Sequence, residues 1–432
     1  MHNTANVYLW GTHIGTVILN DGNPIAKFQY TDAFREMGIE VSPINMPLKP
    51  MVFEFPELSI KSFRGLPGLL SDSLPDKFGN KVIAAWLREQ GLEPKDLNTI
   101  DRLCYAGQRG MGALEYKPAL FDKDDTSELL TVDALSELAD KVLKMREDAK
   151  AALIPGMNEY SSILKVGSSA GGARAKALIG WNEATGEVRS GQVKLPEGFG
   201  YWLIKFDGLT GNGDKEGDDK WGYGRVEYAY HLMAKAAGIE MSECRLWNKR
   251  HFMTRRFDRL ENGGKLHMQT LGALAHFDFN DPTAYSYEQA FRVTRQVVNH
   301  AKANEQLFRR MAFNVLAWNC DDHVKNIAYL MDRGGRWSLA PAYDECYAHN
   351  PDGDWTSQHQ MSVNGKRSGI TDEDILTCAH FANMRERKAK IVLDEVKDAV
   401  REWPRFAAEA EVRDEFVTAI GNRLNLNSAV GC

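Results

Sequence analysis

The sequence feature that most constrains this chain is the segment Asn319–Asn326, which follows a run of apolar residues at helical spacing. It contains Asp321 and, four and five residues further on, Lys325 and Asn326. An aspartate in such a loop can accept the proton of a hydroxyl group, an asparagine can hold a divalent cation, and a lysine can neutralise a phosphoryl group. The segment therefore indicates phosphoryl transfer; the alternative is that Asp321 and Asp322 merely follow a helix end.

A further acidic residue favours the first interpretation. Asp344 follows the strand-like run Leu339–Tyr343, where a metal-binding carboxylate would lie. Mg²⁺ prefers hard oxygen ligands and commonly takes one or two carboxylates together with phosphate oxygens. Asn326 and Asp344 are thus candidate Mg²⁺ ligands, although a lone aspartate is also common in ordinary turns.

One lysine lies within an otherwise apolar strand pattern. Alternation along Trp202–Phe206 places Lys205 on the face opposite Ile204 and Phe206. A buried lysine needs a counter-charge, which nucleotide phosphates or Glu227 on the following helical run would supply. The alternative is a surface lysine on an edge strand.

A glycine- and serine-rich loop precedes that strand. Residues 168–174 (Ser-Ser-Ala-Gly-Gly-Ala-Arg) offer backbone N–H groups that can close on phosphates, but they match neither a Walker A nor a GxGxxG pattern. Most such loops are simple turns. The order of the parts is more informative: a glycine loop, a strand lysine, the Asp…Asn loop and a final Asp follow one another as in a kinase.

Three further segments leave alternatives open. The cluster Arg256–Arg259 has two interpretations: Phe257 touches an adenine while Asp258 and Arg259 brace a joint, or the whole cluster is a salt-bridged connector. His323 is too close in sequence to its acidic neighbours for a zinc geometry, which favours a structural or nucleotide-contacting role. The run His267–Leu271 is compatible with substrate contact or with packing.

Composition indicates an ordinary globular protein. Of the 432 residues, 43% are hydrophobic and 26% charged, and the net charge of −6 gives no overall basic field for nucleic-acid binding. Residues 1–19 lack a basic leader and a long apolar core, and no apolar run approaches the ~20 residues that span a bilayer. We therefore expect no signal peptide, no membrane contact and a cytoplasmic location.

The six cysteines are scattered, with no Cys-x-x-Cys pair. This spacing argues against a disulfide framework and against structural zinc. Cys320 and Cys346 flank the proposed site, and two buried thiols are favoured over a redox pair.

The chain divides into a β-rich first half and a helix-rich second half. Residues 7–11, 15–19 and 26–30 predict three strands, and the apolar spacing within 65–90 predicts helix. The polar link Asp122–Ser127 suggests a boundary. We predict an α+β, bilobal, protein-kinase-like fold. Its parts are an N-terminal β/α subdomain (1–125), a portion with the glycine loop and the lysine strand (126–258), and a mostly helical lobe with the Asp321 loop (259–432).

These residues resemble the HipA family of serine/threonine kinases, the toxin component of bacterial HipBA-type toxin–antitoxin systems. The resemblance covers nearly the whole chain. It is carried in the N-terminal part by Trp10-Gly11, Phe63–Asp76 and Gly107–Leu114, and in the kinase part by Ser168–Leu178, Arg256–Arg259, Asp321–Asn326 and Tyr343-Asp344.

The resemblance implies a role for each candidate residue. Asp321 would be the catalytic base, Asn326 and Asp344 the Mg²⁺ ligands, and Lys205 the lysine that binds the phosphates of ATP. The remaining residues that would line ATP are Ala170, Gly171, Gly172, Ala173, Arg174, Ala175, Arg255, Arg256, Phe257, His323, Lys325, Asn326 and Tyr343. Residues Gly172–Ala175 depart from the commoner family form of the glycine loop.

The resemblance also implies regulation and partners. Family members autophosphorylate a serine at the start of the glycine loop, which inactivates the kinase; Ser168 aligns with it, and Ser169 is its neighbour. The expected cofactors are ATP and Mg²⁺. The expected partners are a small helix-turn-helix, HipB-like antitoxin, through which DNA would be contacted, and a translation-related substrate of the aminoacyl-tRNA synthetase class.

Two other functions compete with a kinase toxin. The chain would in one case be a co-repressor subunit that stabilises an operator-bound antitoxin, with catalysis lost or secondary. The intact set Lys205, Asp321, Asn326 and Asp344 argues against this alternative. In the other case it would be a small-molecule kinase on a related fold, for which the N-terminal block has no evident use.

Overall fold

The computed structural model describes residues 2–94, 97–120, 129–144, 163, 174–209, 222–298 and 300–424. Spatial clustering divides the chain into two compact units. The first unit contains residues 1–219, 253–269 and 330–336, and the second contains residues 220–252, 270–329 and 337–432. The predicted division at positions 125 and 258 stays a prediction.

A five-stranded antiparallel sheet begins the first unit. Its strands are β1 (Thr4–Leu9), β2 (Thr12–Ile18), β3 (Lys27–Tyr30), β4 (Val52–Phe53) and β5 (Leu114–Lys117), in the order β4-β3-β2-β1-β5. The alternating residues Ala5, Val7 and Leu9 of β1 are buried, as a one-sided sheet requires. The predicted hairpin and third strand are confirmed.

The chain between β4 and β5 is helical but interrupted by prolines. Within its described residues, the first unit has the helices Asp32–Glu36, Ile60–Phe63, Gly68–Ser71, Lys77–Glu89, Thr99–Ala106 and Val132–Lys144. Pro67 and Pro75 cannot donate a backbone hydrogen bond, so the apolar run does not form one continuous helix. Asp76 caps the helix Lys77–Glu89, because its Oδ1 accepts a hydrogen bond from Gly79 N at 2.6 Å.

A second antiparallel sheet carries the candidate lysine. Strands β6 (Leu129–Leu130), β7 (Lys176–Trp181), β8 (Val188–Ser190) and β9 (Gly200–Lys205) lie in the order β9-β7-β8-β6. The strand β11 (His251–Arg255) lies beside β9 and has its last three residues in this unit. The predicted strand that carries Lys205 is confirmed. The predicted link at 122–127 and the glycine loop up to residue 173 lie outside the described residues.

A buried ion cluster fixes Asp258 to its neighbours in the first unit. Arg256 donates from Nε and Nη2 to the two carboxylate oxygens of Asp258 at 2.9 and 2.8 Å, and Arg259 Nη1 donates to Oδ2 at 2.7 Å. The backbone N–H of Gly112 also donates to Oδ2, at 2.7 Å, and the carbonyl of Gly110 accepts from both guanidiniums. The structure shows Asp258 and Arg259 bracing residues within the first unit; their predicted role at a joint between lobes stays a prediction.

Burial alone would raise the pKa of the Asp258 carboxyl, but the charges of Arg256 and Arg259 hold that pKa well below its ordinary value. The carboxylate is therefore ionised at neutral pH. The Arg256 guanidinium is hydrogen-bonded to Asp258. Its expected contact with ATP stays a prediction, as does the contact of Phe257 with adenine.

We predict that Asp258→Ala lowers the free energy of unfolding by about 3–5 kcal/mol, because two buried guanidiniums lose their carboxylate. Urea denaturation would measure the loss. The control is Glu54→Ala in the same unit, whose carboxylate lies 3.5 Å from Lys27 at the surface; its cost should stay within about 1 kcal/mol. Equal losses in the two variants would contradict the prediction.

The second unit is mostly helical, as predicted. In the part of this unit that the structure describes, the helices are Tyr223–Ala236, Leu271–Ala275, Tyr287–Val297, Ala301–Leu316, Asp372–Cys378, Glu386–Arg401, Trp403–Glu409 and Asp414–Gly421. The strand β10 (Cys244–Trp247) lies in this unit, and β12 (His267–Thr270), β13 (Ala328–Met331) and β14 (Trp337–Leu339) are the remaining strands of the described residues. Gly238 follows the first helix of this unit with a φ of +75°, a left-handed conformation that glycine adopts readily and that ends many helices.

The helix Ala301–Leu316 forms the centre of the second unit. It packs against the helices Tyr287–Val297 and Glu386–Arg401. From Gln306 to Leu316 all its residues are buried, including the polar Arg309, Arg310 and Asn314. A helix buried on every side has no solvated face to tolerate movement, so it provides a rigid base for the loop that follows.

Within the described part of the chain, no helix is both long enough and apolar enough to cross a membrane.

Candidate active site

The segment Asn319–Asn326 forms a loop just beyond the central helix, which is capped at Ala317. Asn319 N donates to the Asn314 carbonyl at 3.0 Å, and Cys320 N donates to the Ala348 carbonyl at 3.0 Å. Asn326 N donates to the His323 carbonyl at 2.8 Å. These backbone contacts fix the loop at both ends and in the middle, so its side chains project from a defined frame.

Asp321 and Asn326 are joined directly. Asn326 Nδ2 donates to the backbone carbonyl of Asp321 at 2.8 Å, which turns the amide oxygen of Asn326 away from that carbonyl. The Asp321 side chain is 40% exposed, and its Oδ1 lies 3.8 Å from His323 Nε2. The loop thus presents a solvent-accessible carboxylate and an oriented amide oxygen, the two groups that the sequence predicted for this segment.

The adjacent aspartate has a different environment. Asp322 accepts hydrogen bonds from Tyr287 Oη at 2.9 Å, from His359 Nδ1 at 3.1 Å and from Gln360 N at 2.7 Å. Its side chain is 1% exposed. Asp322 therefore anchors the loop to the protein interior, whereas Asp321 faces outward; the alternative that both simply follow a helix end is wrong for Asp322.

Sequence reasoning missed His359 and Tyr287, the partners of Asp322. Burial alone would lower the pKa of His359, but the charge of Asp322 and the hydrogen bond to it raise that pKa to about 10. The pair is therefore an ion pair at neutral pH. Both partners are more than 30 residues from Asp322 in sequence, and no motif spacing connects them with it.

Asp344 lies in a segment tied to the same loop. Tyr343 Oη donates to the Lys325 carbonyl at 2.5 Å, and Ala342 N donates to the Glu240 carbonyl at 2.8 Å. Asp344 is half-buried and has a φ of +56°, which non-glycine residues seldom adopt and which often marks functional sites. The Tyr343 contact fixes the Asp344 segment against the backbone of the Asp321–Asn326 loop.

Glu345, which the sequence did not single out, adds a buried acid to this region. Burial raises the pKa of Glu345 to about 7; Arg310 and a hydrogen bond from Asn319 oppose the rise, and the charges of Asp322 and Asp344 add to it. The rise comes mainly from burial, and Glu345 therefore adds a third carboxyl group, beside Asp322 and Asp344, to this part of the second unit.

The chemistry of the predicted donors is compatible with Mg²⁺, and their joint binding of it stays a prediction. Asn326 and Asp344 offer hard oxygen ligands, and the rest of the coordination shell would come from phosphate oxygens and water. Among the described residues, no three His, Cys, Asp or Glu side chains lie close enough together to hold a metal by themselves. A site of two protein ligands does not require such a cluster.

Lys325 and His323 have a common aromatic neighbour that the sequence did not indicate. Lys325 Nζ lies 4.3 Å from the centre of the Phe279 ring, and the His323 ring lies 6.3 Å from the same ring. Lys325 N also donates to His323 Nδ1 at 3.3 Å. The Phe279 face therefore holds the lysine charge beside the loop by a cation–π contact.

In the first unit, Lys205 ends β9 directly opposite Lys176 of β7. Residues directly opposite in antiparallel strands project from the same face, where two like charges repel. Lys176 is buried, and its Nζ lies 3.3 Å from Asp76 Oδ2, which neutralises one of the two charges. Lys205 is only half-buried, in agreement with a strand lysine that can meet an incoming ligand.

Several other predicted ATP residues are placed without a test of their role. Arg174 Nη2 lies 3.6 Å from Asp207 Oδ1, both buried, and Ala175 is fully buried. Arg255 is partly exposed and lies 3.5 Å from Glu261. Ala170, Gly171, Gly172 and Ala173 lie outside the described residues, as do Ser168 and Ser169. The ATP contacts of all these residues stay predictions.

The structure answers some of the open alternatives. His267 is fully buried, with Nε2 3.1 Å from the Val41 carbonyl, so it packs in the interior. Cys320 and Cys346 are buried free thiols, as favoured. Glu227 is buried on the helix Tyr223–Ala236 of the second unit, and its pairing with Lys205 stays a prediction.

Comparison with known proteins identifies the family. A model of the HipA N-terminal domain matches residues 5–117, and a model of the HipA-like C-terminal domain matches residues 168–403. The chain therefore belongs to the HipA family, and the resemblance found in the sequence is confirmed. A search of curated proteins gives no match.

Solved structures give the fold. The chain is similar to the HipA, HipB and operator DNA complex of the toxin–antitoxin system of Shewanella oneidensis MR-1, with a TM-score of 0.67 and 16% identity over 98% of this chain and 96% of that chain. A proinflammatory kinase, CtkA, of Helicobacter pylori gives a TM-score of 0.32 and 9% identity over 53% of this chain and 89% of that chain. The predicted α+β, HipA-type fold with a helix-rich C-terminal lobe is confirmed.

We predict that the Asp322–His359 ion pair makes stability depend on pH. The pKa of His359 is raised from ~6.5 in the unfolded chain to about 10 in the folded one. Its stabilisation is therefore complete below pH ~6.5 and is lost as the pH rises through about 10. The measurement is the free energy of urea unfolding between pH 6 and 10.5 for the wild type and His359→Gln. The difference between them should shrink with rising pH; a constant difference would contradict the prediction.

Proposed function

We propose that this chain is an ATP- and Mg²⁺-dependent serine/threonine protein kinase that acts as the toxin of a toxin–antitoxin system. The observation that supports this most is the hydrogen bond from Asn326 Nδ2 to the Asp321 carbonyl. It places a partly exposed carboxylate and an oriented amide oxygen on one fixed loop, as transfer of a phosphoryl group to a hydroxyl requires.

In this proposal Asp321 is the general base. The hydroxyl oxygen of the acceptor forms a bond to the γ-phosphorus of ATP, and the bond from that phosphorus to the bridging oxygen breaks, so that ADP leaves with the electron pair. The proton of the hydroxyl passes to the Asp321 carboxylate, which is 40% exposed and so accessible to a protein substrate.

The other groups bind and neutralise charge. Asn326 and Asp344 would hold Mg²⁺, which when bound neutralises phosphate charge. Lys205 would bind the phosphates of ATP, and Lys325, held by Phe279, would neutralise the transferring group. Tyr343 fixes the Asp344 segment to the Lys325 backbone, so that the metal ligands and the base form one assembly.

Regulation by autophosphorylation is part of the proposal. A phosphate on Ser168 or Ser169 would add about −1.5 to −2 charges to the loop proposed to bind ATP phosphates, and like charges repel. Such a product would be inactive until the phosphate is removed. The proposed protein substrate belongs to the aminoacyl-tRNA synthetase class.

The proposed partner is a small HipB-like antitoxin with a helix-turn-helix. The similar Shewanella protein is in complex with HipB and operator DNA. The net charge of −6 is in keeping with contact to DNA mainly through such a partner. The alternative function is that of a co-repressor subunit in which catalysis is secondary.

We predict that Mg²⁺ and ATP place phosphate on the Ser168/Ser169 peptide of the wild type and that Asp321→Asn lowers the rate at least about 100-fold, because the proton acceptor is lost. Mass spectrometry of timed incubations measures both. The control is Asp398→Asn, which removes a surface carboxylate 2.6 Å from Arg401 and should react like the wild type.

Two results would argue against a kinase. Equal phosphorylation in the wild type and Asp321→Asn would assign the phosphate to a contaminant. No phosphate on the chain or on an added aminoacyl-tRNA synthetase, with ATP binding confirmed separately, would favour the co-repressor function.

A further inference from the structure

A continuous chain of buried hydrogen bonds connects the neighbours of two candidate catalytic residues. Tyr287 Oη donates to Asp322, and Asn314 Nδ2 donates to Tyr287 Oη at 3.0 Å. Asn319 Nδ2 donates both to Asn314 Oδ1 and to Glu345 Oε2, each at 3.0 Å. Asp322 directly follows the proposed base Asp321, and Glu345 directly follows the proposed metal ligand Asp344.

The members of this chain come from four separate places in the second unit. Tyr287 begins the helix Tyr287–Val297, Asn314 lies on the central helix, and Asn319 and Asp322 lie in the loop beyond it. Glu345 lies in the later segment that carries Asp344. Hydrogen bonds through three intermediate side chains thus span two stretches that are more than 20 residues apart in sequence.

All five side chains are buried, which makes this series of hydrogen bonds rigid. In a medium of low dielectric constant, hydrogen bonds strengthen, and an unmatched polar group costs about 1–3 kcal/mol. A different arrangement of these side chains would break at least one of the four hydrogen bonds that join them. These hydrogen bonds therefore restrict the position of Asp322 relative to Glu345.

The chain also borders the proposed metal site. Together with Asn326 and Tyr343, its members line a small pocket with room for about one water molecule. Asn326 is the proposed amide ligand, and Tyr343 holds the Lys325 carbonyl. A displacement of these five side chains would therefore affect residues on both sides of the proposed metal site.

We propose that Tyr287, Asn314 and Asn319 are positioning residues that hold the base Asp321 in register with the metal ligand Asp344. This inference rests on the proposed kinase function. The side chains take no part in bond making; they act through Asp322 and Glu345 on the backbone from which the two catalytic side chains project. A misplacement of about 1 Å at a reacting group can cost about 100-fold in rate, so small movements of this chain matter.

The test compares two tyrosines of the same unit. Tyr287→Phe removes the central hydroxyl of the chain and leaves the ring. Tyr329→Phe is the matched control, because Tyr329 is equally buried and its hydroxyl lies 2.7 Å from Thr294 Oγ1, outside the chain. Both variants lose one buried hydroxyl, so we expect similar decreases in melting temperature.

Only Tyr287→Phe should change catalysis. At saturating Mg²⁺ we expect its kcat to fall about 10-fold to 100-fold with KM for ATP nearly unchanged, and Tyr329→Phe to keep the kcat of the wild type. A loss of structure alone would lower the active fraction of both variants alike. Equal kcat in the two variants, in a protein whose wild type is inactivated by Asp321→Asn, would overturn the positioning role and leave the kinase function intact.

A measurement without turnover separates the two proposals. Binding of Mn²⁺ in the presence of a non-hydrolysable ATP analogue, followed by electron paramagnetic resonance, should be several-fold weaker in Tyr287→Phe than in Tyr329→Phe. If the wild type has no kinase activity, this difference still supports the positioning of Asp344. If the two variants bind Mn²⁺ equally, or if the wild type binds none, the positioning of the metal ligand is overturned.

A second pair of variants covers the case in which Tyr287→Phe does not fold. Asn314→Ala breaks the chain on the central helix, and Asn304→Ala removes another buried asparagine of the same helix that lies outside the chain. The same two readouts apply. A selective loss in Asn314→Ala supports the inference, and equal behaviour of the two variants contradicts it.

Discussion

The carboxylate of Asp322 is the group on which the candidate site depends. An ionised carboxylate cannot be withdrawn from water unless other groups replace its hydration. Here the protonated imidazole of His359, the backbone N–H of the adjacent Gln360 and the phenol of Tyr287 do so, and these groups come from two segments that are far apart in sequence. Satisfying one charge therefore brings together the loop after the central helix, the start of the helix Tyr287–Val297 and the segment around His359.

The first unit uses the same physical device at two places. Asp258 is enclosed by two guanidiniums and a backbone N–H, and Lys176 is matched by Asp76. Lys176 and Asp76 are 100 residues apart in sequence, and Gly112 is more than 100 residues from Asp258. Buried charges of this kind contribute little net stability compared with apolar packing, but they penalise alternative arrangements strongly, because an unmatched charge inside the protein is costly.

The sequence predicted those parts of the fold and site that local pattern encodes. Local strand patterns predicted β1, β2 and the Lys205 strand β9, and the order and spacing of the residues identified Asp321, Asn326 and Asp344 as one set of chemical groups. It did not predict that Asp321 and its neighbour Asp322 would have opposite surroundings, because the two residues are identical and their burial depends on Tyr287 and His359. Likewise Phe279 and Glu345 have no motif that marks them, since their roles arise from three-dimensional proximity alone. Pro67 and Pro75 mark interruptions of a helix in the sequence, but the apolar periodicity of residues 65–90 does not by itself show them.

The Asp76–Lys176 contact has a consequence for modularity. The two family models match separate segments of the sequence. Asp76 lies in the N-terminal segment and Lys176 in the C-terminal one. Both residues nevertheless belong to the same compact unit, as do Gly112 and Asp258, which are joined by a hydrogen bond across the same two segments. The sequence boundary between the two family segments therefore falls within one compact unit. A recombination event that exchanged one segment for that of a distant relative would have to bring a compatible counter-ion with it, so the two segments are expected to evolve as one piece.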